Sequence, residues 1–170
     1  MGNVLQKWIT VEEFYKKIPD GQKADLIEGA IYMASPDSRQ QNLLTEFLVV
    51  LMKTYTDVKG LGEVFSSRFA FTLTPYRAPE PDVAFVRKER LYLVHDTGMK
   101  GGPDIAVEIV SLDSKERDYQ SKKKSYEEAM VSEYWVIDPL QEKAIFYRLV
   151  NEKYQRVFLS TVFTIFSTPI

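Results

Sequence analysis

Apolar residues along this chain recur at helical spacing in some stretches and in strict alternation in others, and the switches between the two periods outline the fold. Thr10 followed three residues later by Glu13 is a capping-box pattern, predicting a short helix that ends near Ile18. The stretch "ADLIEGAIYMA" reads as a strand, a Glu28-Gly29 turn and a second strand, a tight hairpin. From about Ser38 to Val58 the residues Leu44, Phe47, Leu48, Leu51 and Tyr55 recur at helical spacing, with Gly60 as the stop, and predict the main core helix. "EVFSSRFAFTL" alternates from Phe65 onward, predicting one strand with Phe69, Phe71 and Leu73 on one face and Arg68, Ala70 and Thr72 on the other.

After the proline-rich "TPYRAPEP" comes a short strand, "DVAFV", and then a charged loop through Gly102. Asp104 to Val110 forms the next expected strand, and a second helix runs roughly from Lys115 to Met130. "EYWVID", "KAIFYRLV" and "YQRVFL" read as a meander of antiparallel strands with turns at "PLQ" and "NEK". Two substantial helices against many strands predict the α/β class in its mixed α+β form, with helices flanking a mixed sheet. The 170 residues fit one domain spanning 1–170, and 45% hydrophobic with 13% aromatic residues supplies a sizeable core.

Charge and composition narrow the chemistry. Lys and Arg total 22 against 24 Asp and Glu, and the net charge of -2 gives no bulk attraction to nucleic acid or to anionic lipid. Any nucleic-acid affinity must come from a local basic patch or from bound cations. The absence of cysteine removes disulfides, thiol nucleophiles and thiolate metal sites, and the single histidine, His95, argues against a histidine-rich zinc site. The N-terminal stretch lacks the pattern of a signal peptide, and the apolar run from Leu43 to Met52 is interrupted by Glu46 and too short to span a bilayer. A cytoplasmic protein without membrane association is the expectation.

The strand from Asp104 to Val110 carries Glu108 among apolar residues, and a buried carboxylate needs a partner or a metal. In period 2, Asp104, Ala106, Glu108 and Val110 share one face, with Ile105, Val107 and Ile109 on the other. Asp82 opens the preceding apolar strand, so adjacent strands can bring the two acids together around a hard cation, Mg2+ or Mn2+. Glu80 and Asp104 compete with them as ligands. On the second helix Tyr119, Tyr126, Ala129 and Met130 define an apolar stripe in which both Lys122 and Lys123 fall, while Lys124 points away. Such a lysine snorkels outward or reaches a carboxylate or phosphate, and Asp118 is also placed to pair with Lys122 on the helix surface.

The blocks "DLIEGAIYMASP", "PEPDVAFV", "GGPDIAVEIVSLDSKERDYQSKKKSYEEAMVSEYWVIDP" and "IFYR" together resemble a large bacterial family of endonucleases in the PD-(D/E)XK, or restriction-endonuclease-like, superfamily. The resemblance runs from about Ala24 to Arg148 and is strongest at Pro81 to Val86 and Pro103 to Pro139. It implies a core sheet flanked by helices and a metal-dependent nuclease site in which Asp82 is the first acid and Glu108 the second. The lysine usual two residues after the second acid is replaced by Val110, and the resemblance assigns that role to Lys122 on the following helix. The chain departs from the family in having Gln40 where a histidine is common and Ser111-Leu112 where "SP" is usual. Asp25 and Glu28 exchange the usual acids of the first hairpin, so Asp25, Glu28, Gln40 and Lys123 are peripheral candidates.

The resemblance thus implies hydrolysis of nucleic-acid phosphodiester bonds, DNA ahead of RNA, with Mg2+ or Mn2+ held by Asp82 and Glu108 and with Lys122 orienting water or neutralising phosphate charge. Arg68, Lys115, Arg117 and Lys124 are the expected backbone contacts, although Glu116, Asp118, Glu127 and Glu128 interleave with them. A nuclease fold that binds without cleaving is the rival reading, and a lysine nucleophile is a third, unsupported by any sign of a carbonyl substrate. A homodimer is also open, with Phe158, Phe163 and Phe166 as a candidate interface.

Overall fold

The structure, a computed structural model, describes residues 8–19 and 21–157. Helix α1 spans Val11–Lys17 and starts from a complete capping box between Thr10 and Glu13. Strands β1 (Ala24–Ile27) and β2 (Ala30–Met33) form the expected hairpin, with Glu28 and Gly29 both at positive φ, the conformation a two-residue hairpin turn demands. Helix α2 covers Arg39–Lys59, capped by Ser38 at its start and by Gly60 in the left-handed region at its end.

The central sheet has six strands. In chain order they are β3 (Gly62–Ser66), β5 (Val83–Arg87), β8 (Ile105–Ile109), β9 (Glu133–Asp138), β10 (Lys143–Val150) and β11 (Lys153–Val157), arranged β11-β10-β9-β8-β5-β3. Within this sheet β8 and β9 are the parallel pair, and the crossover between them carries helix α3 (Lys122–Glu128). Alternation along β8 sends Val107 and Ile109 to one face, where Leu48 and Met52 of α2 cover them, and Ala106 and Val110 to the other, where Tyr126 of α3 and Tyr134 pack.

Several expectations from the pattern need correction. "EVFSSRFAFTL" is not one strand: β3 belongs to the central sheet, while β4 (Ala70–Thr72) pairs with β7 (Gly98–Lys100), which also pairs with β6 (Val94–His95). The break falls at Arg68, whose φ is 69° and whose guanidinium donates to the Gly21 carbonyl at 2.9 Å. Phe65, Phe69 and Phe71 still pack on one another, so the alternation recorded a shared cluster rather than a continuous strand. The expected charged loop contains a 3-10 turn, Lys88–Leu93, together with β6 and β7, because Leu91, Leu93, Val94 and Met99 pack against Phe71 and Val86.

The second helix also differs. Residues 117–121 form a π-helical turn before α3, and this wider turn brings Asp118, Lys122, Ser125 and Tyr126 to the buried side. Met130, expected in the apolar stripe, is 51% exposed at positive φ beyond the helix end. Of the stripe expected on α2, Leu48 is in the core with Leu44 packed against it, while Phe47, Leu51 and Tyr55 lie outside and Met52 takes a core place. The end of the "YQRVFL" strand and the candidate interface at Phe158, Phe163 and Phe166 lie outside the described residues. No helix among the described residues is long and apolar enough to cross a membrane.

Candidate active site

Strand β8 presents Glu108 on the face covered by α3, where its side chain is almost fully buried. One carboxylate oxygen accepts from Lys122 Nζ at 2.8 Å and the other from the Tyr126 hydroxyl at 2.9 Å. Lys122 opens α3 directly after the π turn, its backbone N–H donating to the Arg117 carbonyl five residues back. The same ammonium lies 2.8 Å from Asp25 Oδ2 on β1 and 3.7 Å from Asp118 Oδ1. Asp25 is held in turn by the Glu80 N–H at 2.8 Å, and Asp118 accepts from the Ser114 hydroxyl.

Asp82 stands one residue before β5, with one oxygen paired to Lys23 and the other accepting from the Ile109 N–H at 2.6 Å. That bond ties Asp82 to the backbone immediately after Glu108. Asp25, Asp82, Glu108 and Asp118 therefore bring four carboxylates against the two ammonium groups of Lys23 and Lys122.

Burial is the main force on these groups. It raises the Glu108 carboxyl well above its usual range, with Lys122 opposing and Asp118, Asp82 and Asp25 adding to the rise. Asp118 moves in the same direction for the same first cause. For Lys122 burial pulls downward, but Asp25, Glu108, Asp118 and Asp82 outweigh it and hold the ammonium well above its ordinary value. Lys23 is raised in the same way, chiefly by Asp82 against burial. Glu80, buried beside Asp25, is pushed up to about 7 by desolvation first and Asp25 second.

The donor set suits a hard divalent cation. Carboxylates outnumber ammonium groups, and the buried Asp118 Oδ1 has no hydrogen-bond partner. Among the described residues no three acids or histidines converge as a ready-made metal cage. The arrangement fits an ion held by two carboxylates that keeps water or substrate oxygens in its remaining positions, as Mg2+ does. The cleft holding Asp25, Asp82, Glu108 and Lys122 has a volume of about 50 Å³, room for an ion and a few waters and too little for a nucleotide.

Two larger hollows adjoin it. One of about 450 Å³ runs from Lys23 and Ser35 to Arg68, and another of about 260 Å³ runs from Ser111 and Asp113 past Gln40 to Leu140. Each shares lining residues with the cleft, Lys23 and Ser35 in the first case and Ser111 and Asp113 in the second.

The candidate residues divide accordingly. Asp82, Glu108, Lys122 and Asp25 come together, and Arg117 lines the same cleft, donating to the Asp113 carbonyl at 2.8 Å and lying over the Tyr32 ring. Arg68 and Gln40 sit in the two flanking hollows. Glu28 lies apart, paired with Arg77 at the hairpin turn. Lys123 turns to the Tyr147 ring at 4.5 Å, Lys124 pairs with Glu128 at 3.7 Å, and Lys115 is exposed. Asp118, expected on the helix surface, is buried beside Lys122.

Lys23 and Tyr126 were not among the expected site residues. Tyr126 gave only its apolar signal, although a buried tyrosine hydroxyl needs a partner and an unpartnered buried glutamate was at hand. Nothing local marks Lys23, because its partner Asp82 is 59 residues away.

The family model Uma2, described as "Putative restriction endonuclease", matches residues 11–165. Among solved structures, that of a putative nuclease belonging to DUF820 from Anabaena variabilis superposes with a TM-score of 0.75 at 18% identity, covering 87% of this chain and 83% of that one. At that identity the match shows a shared fold. No curated protein matches the chain.

Proposed function

Because the chain belongs to the Uma2 family of restriction-endonuclease-like proteins, we propose that it is a divalent-metal-dependent endonuclease acting on nucleic acid, DNA ahead of RNA. The observation that carries this reading is the buried ammonium of Lys122 within 2.8 Å of both Glu108 and Asp25, beside Asp82. Such a desolvated group is costly for a structural domain and useful for stabilising charge on a reacting phosphate.

In this reading Asp82 and Glu108 hold Mg2+ or Mn2+, which when bound supplies Lewis-acid polarisation of the phosphate and lowers the pKa of attacking water. Hydrolysis joins the water oxygen to phosphorus, breaks one phosphoester bond, and moves a proton from the water to the departing oxygen. Lys122, whose ammonium form is favoured by Asp25, Glu108, Asp118 and Asp82 against burial, offsets phosphate charge. Tyr126 and Ile109 are positioning groups: the Tyr126 hydroxyl fixes one oxygen of Glu108, and the Ile109 N–H fixes one of Asp82. Arg117 in the cleft and Arg68 in the hollow beside it bind the nucleic-acid backbone, and Lys115 and Lys124 add weaker, solvent-screened attraction.

Incubation of supercoiled plasmid and of single-stranded DNA and RNA with the purified chain in Mg2+ or Mn2+ tests the reading. Cleavage that disappears in chelator and falls by about 10²- to 10³-fold or more in Glu108→Gln is expected. Retained cleavage in Glu108→Gln refutes the assignment.

A second reading has its own support. Lys23 already neutralises Asp82 and Lys122 already neutralises Glu108, and Gln40 replaces the family's frequent histidine. A nuclease fold that binds nucleic acid without cutting it follows if salt-sensitive binding persists and no metal or substrate combination gives cleavage.

A further inference from the structure

Helix α2 carries two apolar faces, and among the described residues only one is packed against the rest of the fold. Leu48 and Met52 pack on the sheet. The outer face carries Leu43, Phe47, Val50, Leu51, Tyr55 and Val58, each at least half exposed, with Phe47 at 61% and Val58 at 82%. With Thr54 and Lys59, most of these border an open hollow of about 510 Å³. At 3.6 residues per turn, Asn42, Glu46, Lys53 and Asp57 fall in a single strip about 60° wide, and the outer arc beside it is mainly apolar, interrupted by Gln40 and Thr54. A contiguous exposed apolar patch of this kind marks a contact surface.

Spacing and charge decide what covers it. Leu43, Phe47, Val50 and Thr54 follow the four-three-four spacing of a helix-pair seam. Glu46 and Lys53 lie one heptad apart along one edge of that seam, and neither side chain is ion-paired within the described residues. In an antiparallel pair of α2 helices with the two-fold axis between Leu48 and Val49, Phe47 of each copy meets Val50 of the other and Leu43 meets Thr54. The same register sets Glu46 of each copy opposite Lys53 of the other, twice over. A parallel pair offers these charges only Leu51 and Val58 across the seam, leaving both unpartnered.

We propose that the outer face of α2 is the interface of a homodimer in which two copies of this helix pack antiparallel. The face is self-complementary in shape sequence and in charge, as a two-fold interface must be. The rim pairs fix orientation while the apolar rows supply the association. Because α2 lies on the opposite side of the sheet from Glu108 and α3, pairing leaves the cleft open. Gln41, which borders the cleft, sits near the start of α2, so the two clefts open toward opposite ends of the helix pair, about 20 Å apart along it.

Sedimentation and light scattering of the full chain at micromolar concentration provide the test. A dimer is expected, converted to a folded monomer by Phe47→Glu. Glu46→Lys and Lys53→Glu should each weaken association several-fold, and the double exchange should restore it. Because the chain has no cysteine, an equimolar mixture of Leu43→Cys and Thr54→Cys chains should form a mixed disulfide dimer that neither forms alone. A monomeric wild type overturns the proposal, as does a dimer that survives Phe47→Glu. A monomer whose outer face takes up hydrophobic dye only after removal of residues 158–170 also overturns it, assigning the cover to the chain's own end.

Discussion

Helices α2 and α3 break the ordinary amphipathic rule in opposite directions. Helix α3 is polar where it meets the sheet: Lys122 and Ser125, with Asp118 just before them, are buried against a strand that offers Glu108. Helix α2 is apolar where it meets solvent, with Phe47, Val50 and Val58 standing clear of the core. Both arrangements cost stability in the isolated chain, one through desolvated charge and the other through exposed hydrocarbon. Each is therefore where an external component is expected, a cation and a phosphate on the α3 side and a second protein surface on the α2 side.

The largest expected effect comes from breaking the polar side. Lys122→Met leaves Asp25, Glu108 and Asp118 without their shared counter-ion, and urea denaturation in chelator should show a loss of about 3–5 kcal/mol. An unchanged midpoint would mean that the acids relax to solvent and that the cluster is not a rigid unit.

A smaller effect is expected from pH. Glu80 has a folded pKa of about 7 against the usual 4.5. The stability tied to its proton is complete below about pH 4.5 and is lost as pH rises through 7. Glu108 and Asp118 add slope of the same sign, whereas Lys23 and Lys122, raised above 10.5, contribute a constant amount in this window. Glu80→Gln should therefore remove part of the decline and be more stable than wild type at pH 8 by about 2–3 kcal/mol. Parallel pH profiles for the two proteins would contradict the buried setting of Glu80.

On the α2 side the contrast lies between neighbours three residues apart. Leu48→Ala removes a core side chain and should cost about 2–3 kcal/mol, whereas Leu51→Ala should change the stability of the monomeric Phe47→Glu chain by less than about 0.5 kcal/mol. Comparable losses at both positions would show that the outer face is covered within one chain.

The parts of the fold that were legible in the sequence are those decided locally. Thr10 with Glu13, Ser38 with Gly60, and the Glu28-Gly29 turn are each fixed by hydrogen bonds or backbone conformations within a few residues. Period 2 along β8 likewise placed Glu108 with Ala106 and Val110 on one face. What periodicity does not contain is the choice between faces. On α2 two apolar arcs are present, and only the sheet's position selects Leu48 and Met52 over Phe47 and Leu51. On the second helix the chain leaves the helix after Glu128 and Met130 takes a positive φ, so the stripe drawn at regular helical spacing wrongly includes Met130. Arg68 ends a strand by a backbone conformation that its side chain does not announce.

The candidate site divides in the same way. Asp82, Glu108 and Lys122 were named from motif order, and their separation in the chain is short enough for adjacent elements to carry it. Lys23 and its contact with Asp82 depend on the hairpin folding back across the sheet, a long-range event with no local trace. Asp118 was visible as a helical neighbour of Lys122, but its burial follows from the π turn.

The central claim is that Asp82 and Glu108 hold one divalent cation in the narrow cleft. Calorimetric titration of Mn2+ into the wild type, Asp82→Asn and Glu108→Gln tests it without any assumption about substrate. The account predicts saturable binding to the wild type that is lost in both variants while their circular dichroism is unchanged. Binding of equal strength in all three proteins would contradict it.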